Sequence, residues 1–217
     1  MIPLRDATRS PVRFPVVTIG LVLINVVAFI WELGSSEAAI IRLAVIPADL
    51  MRGIGWLTPF TAMFLHEGFT HILGNMVFLS VFAPAVEDTM GRGRFLVFYL
   101  LGGLAATAAQ VAIQPASTVP ELGASGAIAA VMGAFLVTYP ADRIKVLMVF
   151  GWFVDVAYLP AFLLVGVWLL MQLLNQTAAV VQAETGGVAY AAHVGGCLYG
   201  IVTARFFEPG RAASVEA

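Results

Sequence analysis

Long apolar runs alternate along the chain with short segments that carry most of its charged residues and many of its prolines. A membrane span needs about 20 mostly apolar residues. By that rule six spans emerge, at 15–33, 70–86, 95–113, 122–140, 158–175 and 188–207. The stretch 146–175 is almost all apolar, broken by Asp155 and Pro160. As a single helix it would be about 45 Å long, against a hydrocarbon core of about 30 Å. Residues 145–157 therefore read as an interfacial lead-in, and the remainder as the fifth span. Residues 35–69 mix apolar positions with Glu37, Arg42, Pro47, Asp49, Arg52 and Glu67, as a long loop lying partly in the interface would. No repeat or low-complexity tract is visible. The pattern predicts an all-α polytopic membrane protein.

Composition agrees. Of 217 residues, 60% are hydrophobic and 11% charged, where soluble domains are about one quarter charged. The net charge of -2 argues against nucleic acid as a partner and leaves the lipid bilayer as the obvious one. The single cysteine, Cys197, excludes an intrachain disulfide framework. The first apolar run follows Arg5, Arg9 and Arg13, as a signal sequence would. It is longer than a signal core and has no small-x-small site behind it, so it reads as a retained span.

Basic residues orient the bundle. With the N-terminus inside, Arg5, Arg9, Arg13, Arg92, Arg94, Arg143, Lys145, Arg205 and Arg211 face the cytoplasm, and only Arg42 and Arg52 lie outside. Residues 1–14 and 208–217 become cytoplasmic segments flanking a six-span domain at 15–207. The expected location is a bacterial-type plasma membrane, with both termini cytoplasmic.

This topology brings polar residues to one depth. The second, fourth and sixth spans all begin at the outer face. His71 and Asn75 open the second, Ser125 the fourth and His193 the sixth. Ionisable groups inside a bilayer are costly and point to function. Small residues every fourth position let helices approach closely. Gly126, Ala130 and Ala134 supply such a stripe in the fourth span, and Ala192, Gly196 and Gly200 in the sixth. Packing of the two stripes would bring Ser125 and His193 within reach of each other. His71 and Asn75, four apart, share a helix face.

A serine hydroxyl needs a base to become a nucleophile. His193 would take its proton and return it to a leaving amine. Asn75, His71 and the Ser125 backbone N–H would donate to the oxyanion. No carboxylate that could complete a triad is read at this level within the spans; the nearest, Glu121 and Glu67, sit at loop edges. The chemistry reads as a Ser–His dyad that needs no cofactor.

The ordered set His66, His71-Ile72-Leu73-Gly74-Asn75, Val86-Glu87, Gly91-Arg92, Phe95, Gly123-Ala124-Ser125-Gly126 and Ala192-His193-Val194-Gly195-Gly196 resembles the rhomboid family of intramembrane serine proteases. The resemblance runs from the first span to the sixth. It implies the minimal six-transmembrane-helix bundle, with Ser125 as nucleophile, His193 as base, and His71 and Asn75 at the oxyanion. It also implies transmembrane protein substrates, cut near the extracytoplasmic end of their span, with water reaching the site from outside. The fifth span, with Phe162 and Trp168, would act as a lateral gate. One departure is visible: Trp56-Leu57 stands where the family often has Trp-Arg in its first loop.

Other readings compete. Phe162, Trp168 and Trp152 suit lipid-facing or interfacial packing. His66 suits a structural role, holding the loop against the second span. Glu87 and Asp88 fall at the cytoplasmic end and suit ties to Arg92 or Arg94. Cys197 suits a small buried hydrophobe one turn below His193. No metal is expected: His66-Glu67 and His71 are five apart, not the four that a helical zinc motif requires. Two rival functions are an inactive rhomboid-like protein that binds membrane clients and a small transporter. The transporter would line the whole membrane depth with polar groups, whereas here the inner halves of the spans are apolar.

Overall fold

The computed structural model describes residues 1–182 and 189–209. The N-terminal strand β1 (Ile2–Asp6) leads into helix α1 (Val16–Leu33). Short helices α2 (Glu37–Ile41), α3 (Pro47–Met51) and α4 (Thr58–Thr61), with a 3-10 turn at Ala62–Phe64, build the first long connection. Helices α5 (Phe69–Met90), α6 (Arg92–Ile113) and α7 (Ser125–Thr138) follow, then strands β2 (Arg143–Phe150) and β3 (Phe153–Pro160), and helices α8 (Ala161–Gln182) and α9 (Tyr190–Phe207).

Three helices, α1, α5 and α6, are long and apolar enough to cross a membrane, while α7 and the Ala161–Thr177 part of α8 are shorter apolar helices. The lower part of the sequence-predicted tail, 210–217 with Arg211, and Val188 at the head of the predicted sixth span lie outside the described residues.

Helix α7 is the axis of the molecule. Every residue from Gly126 to Phe135 is buried. Its neighbours reach it because side chains are missing where backbones meet. A methyl added at Gly196 would overlap the Gly126 carbonyl oxygen, one at Gly200 the Ala130 carbonyl, and one at Gly133 the Cys197 carbonyl. Both small-residue stripes read from the sequence lie in this α7–α9 seam. A methyl on Gly102 of α6 would likewise strike Ala130. Cys197 is buried with a free thiol, as expected for a small hydrophobe.

The all-α expectation needs correction. Strands β1, β2 and β3 form an antiparallel sheet in that order. Residues 145–157 are strand and turn, and residues 2–6 pair with β2. The cause lies in a period of two: Ile144 and Val146 are fully buried, while Arg143 before them is exposed and Lys145 between them is half-buried. Gly151 turns the hairpin with φ 60, and Trp152 at its tip is 99% exposed. Arg9 fastens the N-terminal segment here, with Nε donating to Asp142 at 3.0 Å and its guanidinium 3.9 Å above the Tyr139 ring.

The expected ties of Glu87 and Asp88 to Arg92 or Arg94 are also corrected. The Glu87 carboxylate accepts from the Val17 N–H (2.9 Å), the Thr18 N–H (2.8 Å) and the Thr18 hydroxyl (2.7 Å). It satisfies donors that the first turn of α1 leaves without partners, and it sits at the favourable end of that helix dipole. Asp88 accepts from the Val12 and Arg13 N–H groups. In this way α5 anchors α1 at the end of the bundle opposite His71 and Ser125.

Candidate active site

Ser125 is the first residue of α7, placed there by the turn at Gly123. Gly123 has φ +137, a region that side chains rarely adopt. A Cβ at this position would sit 2.9 Å from the His71 ring and 3.6 Å from Ser125 Oγ, so the bare backbone is what lets those groups converge. The Gly123 N–H donates to the Ala62 carbonyl at 2.8 Å, tying the turn to the first long connection.

His193, one turn into α9, places Nε2 2.8 Å from Ser125 Oγ. The two residues are 68 apart in sequence; the glycine seam below them sets their separation. They open on a cleft of about 480 Å³ that also exposes His71, Asn75, Glu121 and Trp168. Asn75 is 7% exposed, and its Nδ2 has no partner among the described residues. A buried amide donor without a partner costs free energy, which an incoming acceptor would recover. The Glu67 N–H lies 3.5 Å from His71 Nδ1, a long contact that favours the tautomer with its proton on Nε2.

His66 does not reach the cleft. Its ring stands edge-on to His71, 5.1 Å between centroids, and its backbone N–H donates to the Glu32 carboxylate at 2.9 Å. Burial, and secondarily the neighbouring His71, push its pKa down to about 4, so the ring is neutral at pH 7. Glu32, at the C-terminal end of α1, is a further carboxylate near this level, and it is engaged with the loop rather than with His193. Both of its oxygens are engaged by the His66 N–H.

Residues 54–209 match the model of the rhomboid domain. The chain belongs to the rhomboid family. It is 35% identical over 124 residues to the rhomboid-family protein YdcA of Bacillus subtilis, covering 57% of this chain and 62% of that protein. It is 27% identical over 193 residues to the mitochondrial presenilin-associated rhomboid-like protein of Bos taurus, covering 84% of this chain and 46% of the relative. To the rhomboid protease GluP of Bacillus subtilis it is 35% identical over 96 residues, covering 44% of this chain and 18% of that one. The chain thus spans less than two thirds of the length of each of these relatives.

Three residues of this rhomboid chain escape a reading by spans. Trp168 is not simply lipid-facing: its ring lies against His193, with centroids 5.8 Å apart and planes tilted by 36°. Phe162, on the same helix, is 56% exposed. Gln172, one turn beyond Trp168, places Oε1 2.8 Å from His193 Nδ1. The available signal was a polar side chain at i+4 from a tryptophan, one turn inside the apolar part of the helix. Glu121 stands at a loop edge in the sequence. It lines the cleft, and its backbone pairs with Val45 in both directions. Burial pushes its pKa up to about 7 against the opposing effect of a Gln110 hydrogen bond. Among the described residues, no group of three His, Cys, Asp or Glu is placed to hold a metal ion.

Proposed function

We propose that this protein is an intramembrane serine endopeptidase that cuts membrane-anchored proteins near the extracytoplasmic end of their transmembrane segment. The observation that carries the reading is the 2.8 Å contact between Ser125 Oγ and His193 Nε2, in the lining of a cleft shared with Asn75, whose buried Nδ2 has no partner among the described residues. Helices α1, α5, α6, α7, α8 and α9 serve as the six spans, with both termini cytoplasmic.

The chemistry follows from the placement. A substrate strand enters the cleft with its scissile carbonyl above Ser125. A helical substrate must unwind there first, because its own hydrogen bonds hide the carbonyl. As Oγ attacks, its proton passes to His193 Nε2. The developing oxyanion accepts from Asn75 Nδ2, His71 Nε2 and the Ser125 N–H, which belongs to a helix first turn without intrahelical partners. His193 then protonates the departing amine. A water, activated by the same ring, hydrolyses the acyl enzyme and regenerates Ser125.

The deciding experiment is a fluorophosphonate reaction on the purified protein, with the adduct located by mass spectrometry. A covalent adduct on Ser125, lost in His193→Ala, supports the reading. No adduct together with no cleavage of any membrane-anchored substrate leaves the client-binding alternative.

A further inference from the structure

Helix α8 is apolar outward: Leu170, Met171, Leu173 and Leu174 are each 45–55% exposed. Gln172, among them, is 9% exposed and turned toward the bundle. Burying an amide in an apolar setting is unfavourable unless it is hydrogen bonded. Its carbonyl oxygen finds a partner in His193 Nδ1 at 2.8 Å. An amide oxygen carries no hydrogen and can only accept, so Nδ1 is the donor. The proton of the neutral ring is then on Nδ1, and the lone pair on Nε2 points at Ser125 Oγ, 2.8 Å away.

We infer that Gln172 is a positioning residue that favours the His193 tautomer able to take the Ser125 proton, extending the dyad to a Ser–His–Gln triad. This rests on the role of His193 as base proposed above. The opposite tautomer would require the Gln172 amide to turn over and donate its NH2 to the bare Nδ1, and it would leave no lone pair facing Ser125. When Nε2 accepts the serine proton, the imidazolium keeps its Nδ1–H bond to Gln172, so the new charge faces the negative end of an amide dipole. No second ion has to be buried at membrane depth, which a carboxylate in this place would require. Trp168, four residues earlier and on the same face of α8, lies against the same ring and restrains its plane.

The test uses the full chain in lipid nanodiscs. It combines steady-state cleavage of a transmembrane model substrate with 15N NMR of the imidazoles. The chain has three histidines, so the His193 signal is assigned by its loss in His193→Asn. The unsubstituted protein is expected to show His193 protonated on Nδ1. Gln172→Leu should lower kcat on the order of 10- to 100-fold, the effect of losing a buried hydrogen bond, with KM within about twofold. It should also convert the His193 signal to a mixture of tautomers. Gln172→Glu keeps an acceptor at the same reach, so it should hold His193 protonated on Nδ1, with a lower Tm from the carboxyl buried in place of an amide. A tie that merely joined α8 to α9 would lower the Tm without changing tautomer or kcat. Wild-type kcat in Gln172→Leu overturns the inference, and so does a native His193 protonated on Nε2. Should Gln172→Leu not fold, the native tautomer decides alone. Failure of the protease reading appears separately, as no cleavage by the unsubstituted protein or as cleavage that survives in Ser125→Ala, and the His193 tautomer is read independently of both.

Discussion

The Cα of Gly196 rests against the carbonyl oxygen of Gly126, with no room for a methyl between them. Gly126 follows Ser125, and Gly196 lies three residues after His193. This contact therefore sets the spacing of the two reactive groups. Gly196→Val would drive α9 away from α7, because a backbone carbonyl cannot rotate aside as a side chain can. It should lower the Tm, at a cost of about 3 kcal/mol or more, and abolish fluorophosphonate labelling of Ser125. Gly20→Val, at a glycine on α1 with open space around it, should do neither.

Ser125→Ala and His193→Ala should each eliminate cleavage of a model membrane substrate, with Tm near that of the parent. Neither side chain is needed for the seam beneath them. Cleavage assays alongside thermal unfolding check this, and near-normal turnover in either variant would refute the dyad.

Asn75→Ala should reduce kcat on the order of 100- to 1000-fold, the usual cost of removing one oxyanion donor. KM should change little, since the donor is unused until charge develops on the substrate carbonyl. A defect confined to KM would assign Asn75 to substrate binding instead.

Glu121 has its pKa raised to about 7 by burial, from an unfolded value of 4.5. The folded state thus favours the protonated form. The associated stability is complete below pH 4.5 and is lost as pH rises through about 7. Glu121→Gln should remove this dependence. The Tm difference between Glu121→Gln and the parent should grow in favour of the variant from pH 5 to pH 8, as read by thermal melts across that range.

Glu87→Ala strips three hydrogen bonds from the start of α1. It should destabilise the fold on the order of 3 kcal/mol, because buried donors lose a charged acceptor. The site lies at the other end of the bundle, so labelling of Ser125 below the lowered Tm should persist.

Much of this was readable from the chain alone. The lengths of apolar runs mark α1, α5 and α6. The small residues at every fourth position mark the α7–α9 seam. The ordered residues Ser125, His193, His71 and Asn75 mark the cleft. All of these are local patterns, set by chain length against bilayer thickness and by a helix repeat of 3.6 residues. The strand alternation of Ile144 and Val146 was also present in the sequence, but apolar content concealed it. Other features had no local signature. The pairing of β1 with β2 joins residues about 140 apart, and Glu87 caps a helix 69 residues away. The bond from His193 to Gln172 requires α8 to lie beside α9 at one particular rotation. Helix periodicity tells which face is polar, not which neighbour it meets. That choice is made when buried donors and acceptors find partners in an interior without water, so only the tertiary structure decides it.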